Sequence, residues 1–237
     1  MDIKGEEDTR VLKHAFLNSY FQTGLKGNID EAVIARTKRT ELKGIEENYE
    51  KVDEIPFDFS RRRLSVVVSD GKKKQLITKG AVEEILSICT MVDYKGEVSE
   101  INREIKQNIL KITKELNKQG LRVVAVAQKN DIDGISSFSV KDECKMVLMG
   151  FIGFLDPPKE SAKDAIARLN KDGIRAIVLT GDNEYVTKAI CEKVNINTDK
   201  IVLGSKVEKL SDAALRRLLK KTNVFAKLSP IQKARIV

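Results

Sequence analysis

The sequence predicts two parts in series. Residues 1–143 form an α+β domain, an antiparallel sheet flanked by helices, and residues 144–237 form an α/β domain built on a parallel sheet. Three observations predict this. In the first half, β-branched runs fold back on each other across a short turn, as around Asp70-Gly71, the pattern of adjacent antiparallel strands. From Lys145 onward strand and helix alternate at the spacing of right-handed crossovers. The composition, 41% hydrophobic against 33% charged, gives both parts enough apolar material for a core.

In chain order, residues 9–21 place apolar side chains at helical spacing. Asn28 is positioned to cap a second helix through about residue 40, with Asp30 and Glu31 in its first turn, where carboxylates suit the helix dipole. RLSVVVS at 63–69 and the run at 75–79 are the two arms of a hairpin. A short helix follows over 81–89. A longer amphipathic helix over 101–117 ends at Gly120, and LRVVAVAQ at 121–128 is a strand. In the second part, the strand at 146–155 runs into Asp156-Pro157-Pro158. A helix over 160–171 and a strand over 174–179 lead to Thr180-Gly181-Asp182-Asn183 and a helix over 184–194. A strand at 201–203, a helix over 212–221 capped by Ser211, and a strand at 223–226 come next. Ser229-Pro230 opens the last helix, a cap followed by proline in the first turn. That helix reaches Val237 with no terminating cap, so the sequence reads as ending inside an element.

Several chemistries are disfavoured. His14 is the sole histidine and lies in a helical pattern, which argues for a structural role and against a histidine metal or catalytic site. Cys89, Cys144 and Cys191 are odd in number and far apart, as expected in a reducing compartment without zinc or a disulfide framework. The longest apolar run, 146–155, is about half of a bilayer span, and the first residues carry no signal-peptide pattern. A formal charge of +8 points to an anionic partner, be it nucleotide, nucleic acid or membrane surface, without choosing among them.

Four places have the chemistry of a site. Thr180-Gly181-Asp182-Asn183 lies where a parallel strand hands over to a helix, the edge at which open α/β sheets bind ligands and at which backbone N–H groups hold phosphate. An ordinary turn with Asp182 or Asn183 as a cap explains it equally well. Asp156 follows a strand and is stiffened by two prolines, which suits either a fixed carboxylate or a rigid connection. Lys233, one turn into the last helix, is either solvated or drawn there by a phosphate. In the first part, Lys79-Gly80-Ala81 ends a strand where glycine permits close approach. Phe57-Asp58-Phe59-Ser60-Arg61-Arg62-Arg63 sets aromatics beside guanidiniums, a pairing suited to a purine and its phosphates. A core phenylalanine beside a basic turn is the plainer alternative. No Walker A loop and no G-x-G-x-x-G is present.

Taken together and in order, these segments resemble the P-type ATPases, and the resemblance runs along nearly the whole chain. It implies a nucleotide-binding domain over 1–143 and part of a haloacid-dehalogenase-like phosphorylation domain over 144–237. Asp156–Pro158 is similar to the family's D-P-P segment and Thr180–Asp182 to its T-G-D segment. Residues 226–233, AKLSPIQK, resemble the stretch whose lysine contacts the phosphorylation site, here Lys233. By the same resemblance Phe59 stacks on adenine, Arg61 follows it, Lys79 and Gly80 belong to the K-G-A element of the adenine pocket, Asp30 meets the adenine amino group, and Arg122 is the arginine of the G-L-R strand. Lys79 is thus expected to be a pocket wall whose loss lowers affinity and leaves stability alone. Residues 17–26 (LNSYFQTGLK) and 53–59 (DEIPFDF) are similar to the bacterial magnesium-importing branch.

The resemblance implies ATP or ADP as ligand and magnesium as cofactor, held by residues largely outside this sequence. It implies the membrane and actuator domains of the same polypeptide as partners, a place on the cytoplasmic side of the membrane, and no nucleic acid. The family's phosphorylated-aspartate segment would lie before Met1 and its magnesium-holding segment after Val237. The chain is therefore expected to bind nucleotide without turning it over, on a parallel sheet lacking its central strand. A stand-alone dehalogenase-type phosphatase would need a D-x-D nucleophile after a strand, and none is present. A basic nucleic-acid-binding domain would be expected to carry a recognisable motif, and none is found.

Overall fold

The computed structural model describes residues 1–132 and 134–237. They divide into two compact units, Met1–Thr113 with Val123–Phe154, and Lys114–Arg122 with Leu155–Val237.

The first unit begins with α1 (Thr9–Phe21), whose N-cap Asp8 accepts from the Arg10 N–H at 2.8 Å, and α2 (Asn28–Thr37). Strands β1 (Glu50–Asp58), β2 (Arg63–Ser69) and β3 (Lys74–Ala81) follow. Next come α3 (Val82–Ile88), β4 (Cys89–Tyr94), β5 (Glu97–Glu100), α4 (Arg103–Lys118), β6 (Leu121–Lys129) and β7 (Met146–Leu155). The seven strands lie in the order β1-β2-β3-β6-β7-β4-β5. Side chains alternate across this sheet, and both of its faces are covered. Val68, Ile77, Val126 and Met149 point to a core shared with Val11, Ala15 and Phe16 of α1 and Val33 of α2. Their neighbours Val67, Leu76, Ala125, Ala127 and Leu148 point to the other core, with Ile85 of α3 and Ile109 of α4. Burial on both faces explains why β2 and β6 read as continuous apolar runs.

Two features of this sheet were not anticipated. Strand β1 is charged and carries Pro56, which suits it to the edge position it occupies, where a missing N–H costs no ladder bond. Strands β4 and β5 form a hairpin whose Lys95 and Gly96 both have positive φ, 53° and 97°, the turn that matches strand twist. The largest difference concerns β7. The alternation of strand and helix places it at the head of the parallel sheet. Instead β7 joins the first sheet, pairing with β4 in parallel register, Val147 against Met91 and Leu148 against Val92. The sheet is therefore mixed rather than purely antiparallel. The reason is burial: Met146, Leu148 and Phe151 are sealed in the first core. The compact units meet after Phe154, and residues 114–122 group with the second.

The second unit contains α5 (Ala162–Lys171), β8 (Val178–Leu179), α6 (Glu184–Lys193), β9 (Ile201–Leu203), α7 (Gly204–Glu208), α8 (Asp212–Leu219), β10 (Val224–Ala226) and α9 (Pro230–Ile236). Its sheet is parallel, in the order β8-β10-β9. The core is Val202, Val207, Leu215, Phe225 and Leu228. Of the expected caps, Ser211 accepts from Ala214 N–H, and Ser229 and Gln232 form a reciprocal capping box behind Pro230, whereas Asn28 is the first residue of α2 and Gly27 holds the cap position. The strand expected over 174–179 shrinks to two residues. Ile174 and Ile177 are exposed, and the Arg175 guanidinium is drawn to the carbonyls at the end of α8, Leu219 O at 2.6 Å and Lys220 O at 2.9 Å.

His14 has the structural role expected of it. It is buried under α1, with Nδ1 2.6 Å from the Arg10 carbonyl and Nε2 2.8 Å from Gln128 Oε1. Burial pushes its pKa below the usual 6.5, with the bonds to Arg10 and Gln128 pulling the other way. The folded state then binds this proton less readily than the unfolded chain. The stability linked to His14 is complete above about pH 6.5 and lost as pH falls from there through the folded pKa. His14→Gln is expected to flatten that limb of a stability-against-pH curve measured by urea unfolding.

The placement of β7 has its own test. Phe151→Ala is expected to cost about 3–5 kcal/mol and to lower hydrogen-exchange protection of the Val67 and Leu76 amides, which lie in the same core. Unchanged protection there would detach β7 from the first unit.

Candidate functional site

Lys79 and Asp30 organise the site in the first unit. Lys79 is near the end of β3, paired in register with Leu64 of β2 and Val126 of β6. Its side chain is directed under α1 and α2, where only 6% of the residue stays exposed. Its ammonium donates to Ser19 Oγ at 2.5 Å and forms an ion pair with Asp30. Asp30 uses its other oxygen to accept the Gly27 N–H at 3.1 Å, closing the start of α2. Burial alone would raise the Asp30 pKa, but the Lys79 charge and hydrogen bond, with Ser19 and Gly27, overcome it and hold the carboxyl below its usual 3.8. Burial pulls the Lys79 pKa down while Asp30 pulls it back. The direction that stands is the ionised pair, since the geometry matches each charge with its opposite. Lys79 is thus not a free wall of a pocket: it is a buried cation held by the fold, and its loss must affect stability.

Gly80 follows, and here glycine is required. A Cβ would lie 2.5 Å from Arg63 Cβ and 2.6 Å from Arg62 O, since β3 runs directly against the Arg62–Arg63 backbone. Ala81 N–H donates to that same Arg62 carbonyl at 3.0 Å. Between β1 and β2, Asp58 Oδ1 accepts from the N–H groups of Ser60 and Arg61, at 2.9 and 2.8 Å, and Arg62 takes φ 49°. Phe57 lies near the end of β1 and Phe59 on the turn itself. They touch edge to face with ring centroids 5.2 Å apart, and Phe59 stays 73% exposed.

Arg61 does not point freely into solvent. Its NH1 group donates to both oxygens of Glu143, at 2.8 and 2.7 Å, and NH2 to Pro56 O at 2.7 Å. Arg63 Nε and Ser65 Oγ reach the same carboxylate, each at 2.7 Å. The Glu143 side chain is fully buried. Sequence reasoning missed it, since Glu143 stands in no motif. The one available signal was three consecutive arginines that need a counter-charge. Two cavities of about 440 and 290 Å³ open beside Lys13, Tyr49 and Asp70, and none of Asp30, Phe59 and Lys79 lines either. The Phe57–Phe59 pair forms an exposed ledge.

In the second unit, Arg122 gathers the carboxylates. Its NH1 is 2.8 Å from Asp156 Oδ2 and its NH2 2.8 Å from Asp182 Oδ2. Its Nε is buried with no hydrogen-bond partner among the described residues. Thr180 Oγ1 donates to Asp182 Oδ2 at 2.9 Å and accepts the Asp182 N–H at 3.1 Å, a self-closing loop at the end of β8. Asn183 caps α6 through the N–H groups of Tyr185 and Val186. The Asp182 carbonyl accepts from Lys227 N–H at 2.7 Å, which ties this loop to the segment before α9. Gly181 has ordinary clearance, its nearest neighbour for a Cβ being Leu228 O at 3.5 Å. Lys233 lies on α9, and no hydrogen bond or ion pair joins its side chain to Asp182 among the described residues. The structure therefore groups Arg122 and Asp156 with Thr180 and Asp182. Lys79, Asp30, Gly80, Phe59 and Arg61 lie in the first unit.

The chain is similar to known proteins. Residues 10–161 match the family described as P-type ATPase, cytoplasmic domain N. Across its full length the chain is 43% identical to the Magnesium-transporting ATPase, P-type 1, of Escherichia coli. It is 40% identical to a protein of the same name from Salmonella typhimurium. Over 98% of its length it is 29% identical to Calcium-transporting ATPase 1 of Bacillus cereus. The chain spans 26% of the length of each of these relatives.

Lys79→Met strips a buried carboxylate of its counter-ion and is expected to lower unfolding stability by about 3 kcal/mol. Adding Asp30→Leu should restore part of that loss. Because the folded Asp30 pKa is depressed, the pair's contribution is complete above about pH 4 and disappears as pH falls below it through the folded value. Urea melts of both variants between pH 2 and pH 7 provide the check.

Proposed function

The chain belongs to the P-type ATPases, and from that premise we propose that its first unit binds ATP by the adenine ring and that its second holds residues that arrange the phosphoryl group. The observation that carries the proposal is the exposed Phe59 ring, set on a turn one strand away from the buried Lys79–Asp30 pair. Adenine stacks on Phe59, Asp30 and Lys79 form the polar floor, and Gly80 keeps that floor low. Arg61 adds positive charge beside the ring. A base stacked on an aromatic side chain gains about 1–3 kcal/mol.

In this reading residues 1–143 are the nucleotide-binding domain and residues 144–237 part of a haloacid-dehalogenase-like phosphorylation domain. The parallel β8-β10-β9 sheet, with Thr180-Gly181-Asp182 at a strand end, supports the second assignment. Thr180, Gly181, Asp182 and Lys233 arrange the phosphoryl group. Arg122, tied to Asp156 and Asp182, holds the two carboxylates in place and screens their charge from an incoming phosphate. Catalysis of phosphoryl transfer is mainly such positioning and charge compensation.

Magnesium arrives as part of the substrate, on the nucleotide's phosphates. Asp156 and Asp182 are only two carboxylates and both are paired with Arg122, so they do not by themselves make a resident metal site. The whole protein is read as coupling ATP hydrolysis, through an aspartyl-phosphate, to the transport of a cation, magnesium by the stronger likeness. The remaining domains of the polypeptide, membrane and actuator, are its partners, and this chain works on the cytoplasmic side of the membrane. Among the described residues no helix is long and apolar enough to cross a membrane.

Titration with ADP or ATP, followed by NMR, is expected to shift resonances of Phe59, Asp30 and Gly80 with an affinity near millimolar, about −4 kcal/mol. Duplex DNA should leave them unmoved. Phe59→Ala should weaken binding by about 1–3 kcal/mol and change stability by no more than about 0.5 kcal/mol, as suits so open a side chain. Shifts confined to residues around Asp182 would overturn the adenine assignment.

A further inference from the structure

Little apolar packing holds the aromatic ledge in place. Phe57 is 52% and Phe59 73% exposed, and their ring contact is with each other. The turn that carries them includes a non-glycine residue, Arg62, in the left-handed region at φ 49°, a conformation that persists only where its surroundings impose it. Part of what imposes it is local, since Asp58 accepts from the N–H groups of Ser60, Arg61 and Arg62, and a side-chain network from outside the turn adds to it. The buried Glu143 carboxylate grips Arg61 through both oxygens, and Arg61 in turn donates to the carbonyl of Pro56, the residue before the ledge. Arg63, just beyond the turn, is fixed by the same carboxylate. Ser65 closes the set with a bond to Glu143, and its hydroxyl also meets Thr78 of β3 at 2.7 Å. One carboxylate therefore holds both flanks of the segment 57–62 and fastens them to the interior of the sheet.

We infer that Glu143 is a positioning residue for nucleotide binding, acting through Arg61 and Arg63 to hold Phe59 in the orientation in which it receives a planar base. Without that grip the turn relaxes and the ring samples orientations that do not stack, so affinity falls although Glu143 touches no ligand. The inference rests on the reading of Phe59 as the base-stacking ring.

The test measures ADP affinity at a temperature well below every variant's melting point. The proteins are the wild-type chain, Glu143→Gln, Phe59→Ala and the double variant. Glu143→Gln is expected to bind ADP about three- to tenfold more weakly, and the double variant no more weakly than Phe59→Ala alone, because two residues acting through one contact are not additive. The unliganded Glu143→Gln protein should also lose the mutual ring-current shifts of Phe57 and Phe59. Wild-type affinity in Glu143→Gln, whatever its melting temperature, overturns the inference. So does a loss that adds in full to that of Phe59→Ala. If Glu143→Gln does not fold, Arg63→Met serves in its place. It leaves Glu143 paired with Arg61 and Ser65 and cuts only the anchor beyond the turn, and its loss must likewise vanish in the Phe59→Ala background. If Phe59→Ala itself binds ADP as well as wild type, the reading of Phe59 fails and takes the inference with it. A failure of Glu143 alone leaves that reading intact.

Discussion

A sheet covered on both faces cannot hold a charged side chain unless its opposite is folded in beside it, and the first unit is arranged around that constraint. The Lys79 ammonium enters the layer between β3 and the α1–α2 pair, where an isolated charge would cost many kcal/mol. Asp30 neutralises it, and Ser19 takes another of its protons. The three groups come from β3, α2 and α1, so one electrostatic requirement fixes two helices against one strand. Asp30 also closes the start of α2, which means that the helix begins where the lysine needs it to. Glu143 repeats the solution with the signs reversed: a carboxylate inside, two guanidiniums brought to it from the turn and the strand that follows.

The two clusters lie on opposite faces of the sheet: Lys79 shares the face of Ile77, under α1 and α2, and Ser65 and Thr78, which meet Glu143 and Met146, share the other. Neither depends on a ligand to be satisfied. In the second unit the balance differs, since Arg122 alone faces Asp156 and Asp182. That arrangement keeps one negative charge in excess at the end of β8, next to the backbone N–H groups of the Thr180–Asn183 turn.

Much of this was legible in the sequence where local chemistry decides structure. Residues 9–21 and 63–69 have the periodicities of the helix and strand they become, and Ser211 and Ser229 cap helices as their positions imply. Strand β1 was not legible, because an edge strand needs no apolar alternation and tolerates Pro56. The affiliation of β7 was not legible either. Its ten-residue run, MVLMGFIGFL, suits any strand buried on both faces, and which sheet buries it is decided by pairing with β4, more than fifty residues earlier in the chain. Among site residues, the aromatic pair and the lysine–glycine step could be marked because their types and spacing suggest a base and a close approach. That Lys79 is buried against Asp30 could not, since a lysine at the end of a strand is usually solvated. Glu143 carries no local signal at all: its role exists only once Arg61, Arg63 and Ser65 are brought to it from some eighty positions away.

The two outermost strands of the seven-stranded sheet bear on how the protein behaves in company. Strand β1 carries Glu50, Lys51, Asp53, Glu54 and Pro56, and β5 is fully exposed with Glu97 and Glu100 at its ends. An open strand edge invites a second molecule to extend the sheet, and charges or proline along it oppose that docking. Between these borders lie β2, β3 and β6, whose apolar runs would be strong nuclei for fibrils if bared. Charged borders therefore oppose edge-to-edge growth of so hydrophobic a sheet, and losing them would favour association before it touched the native fold.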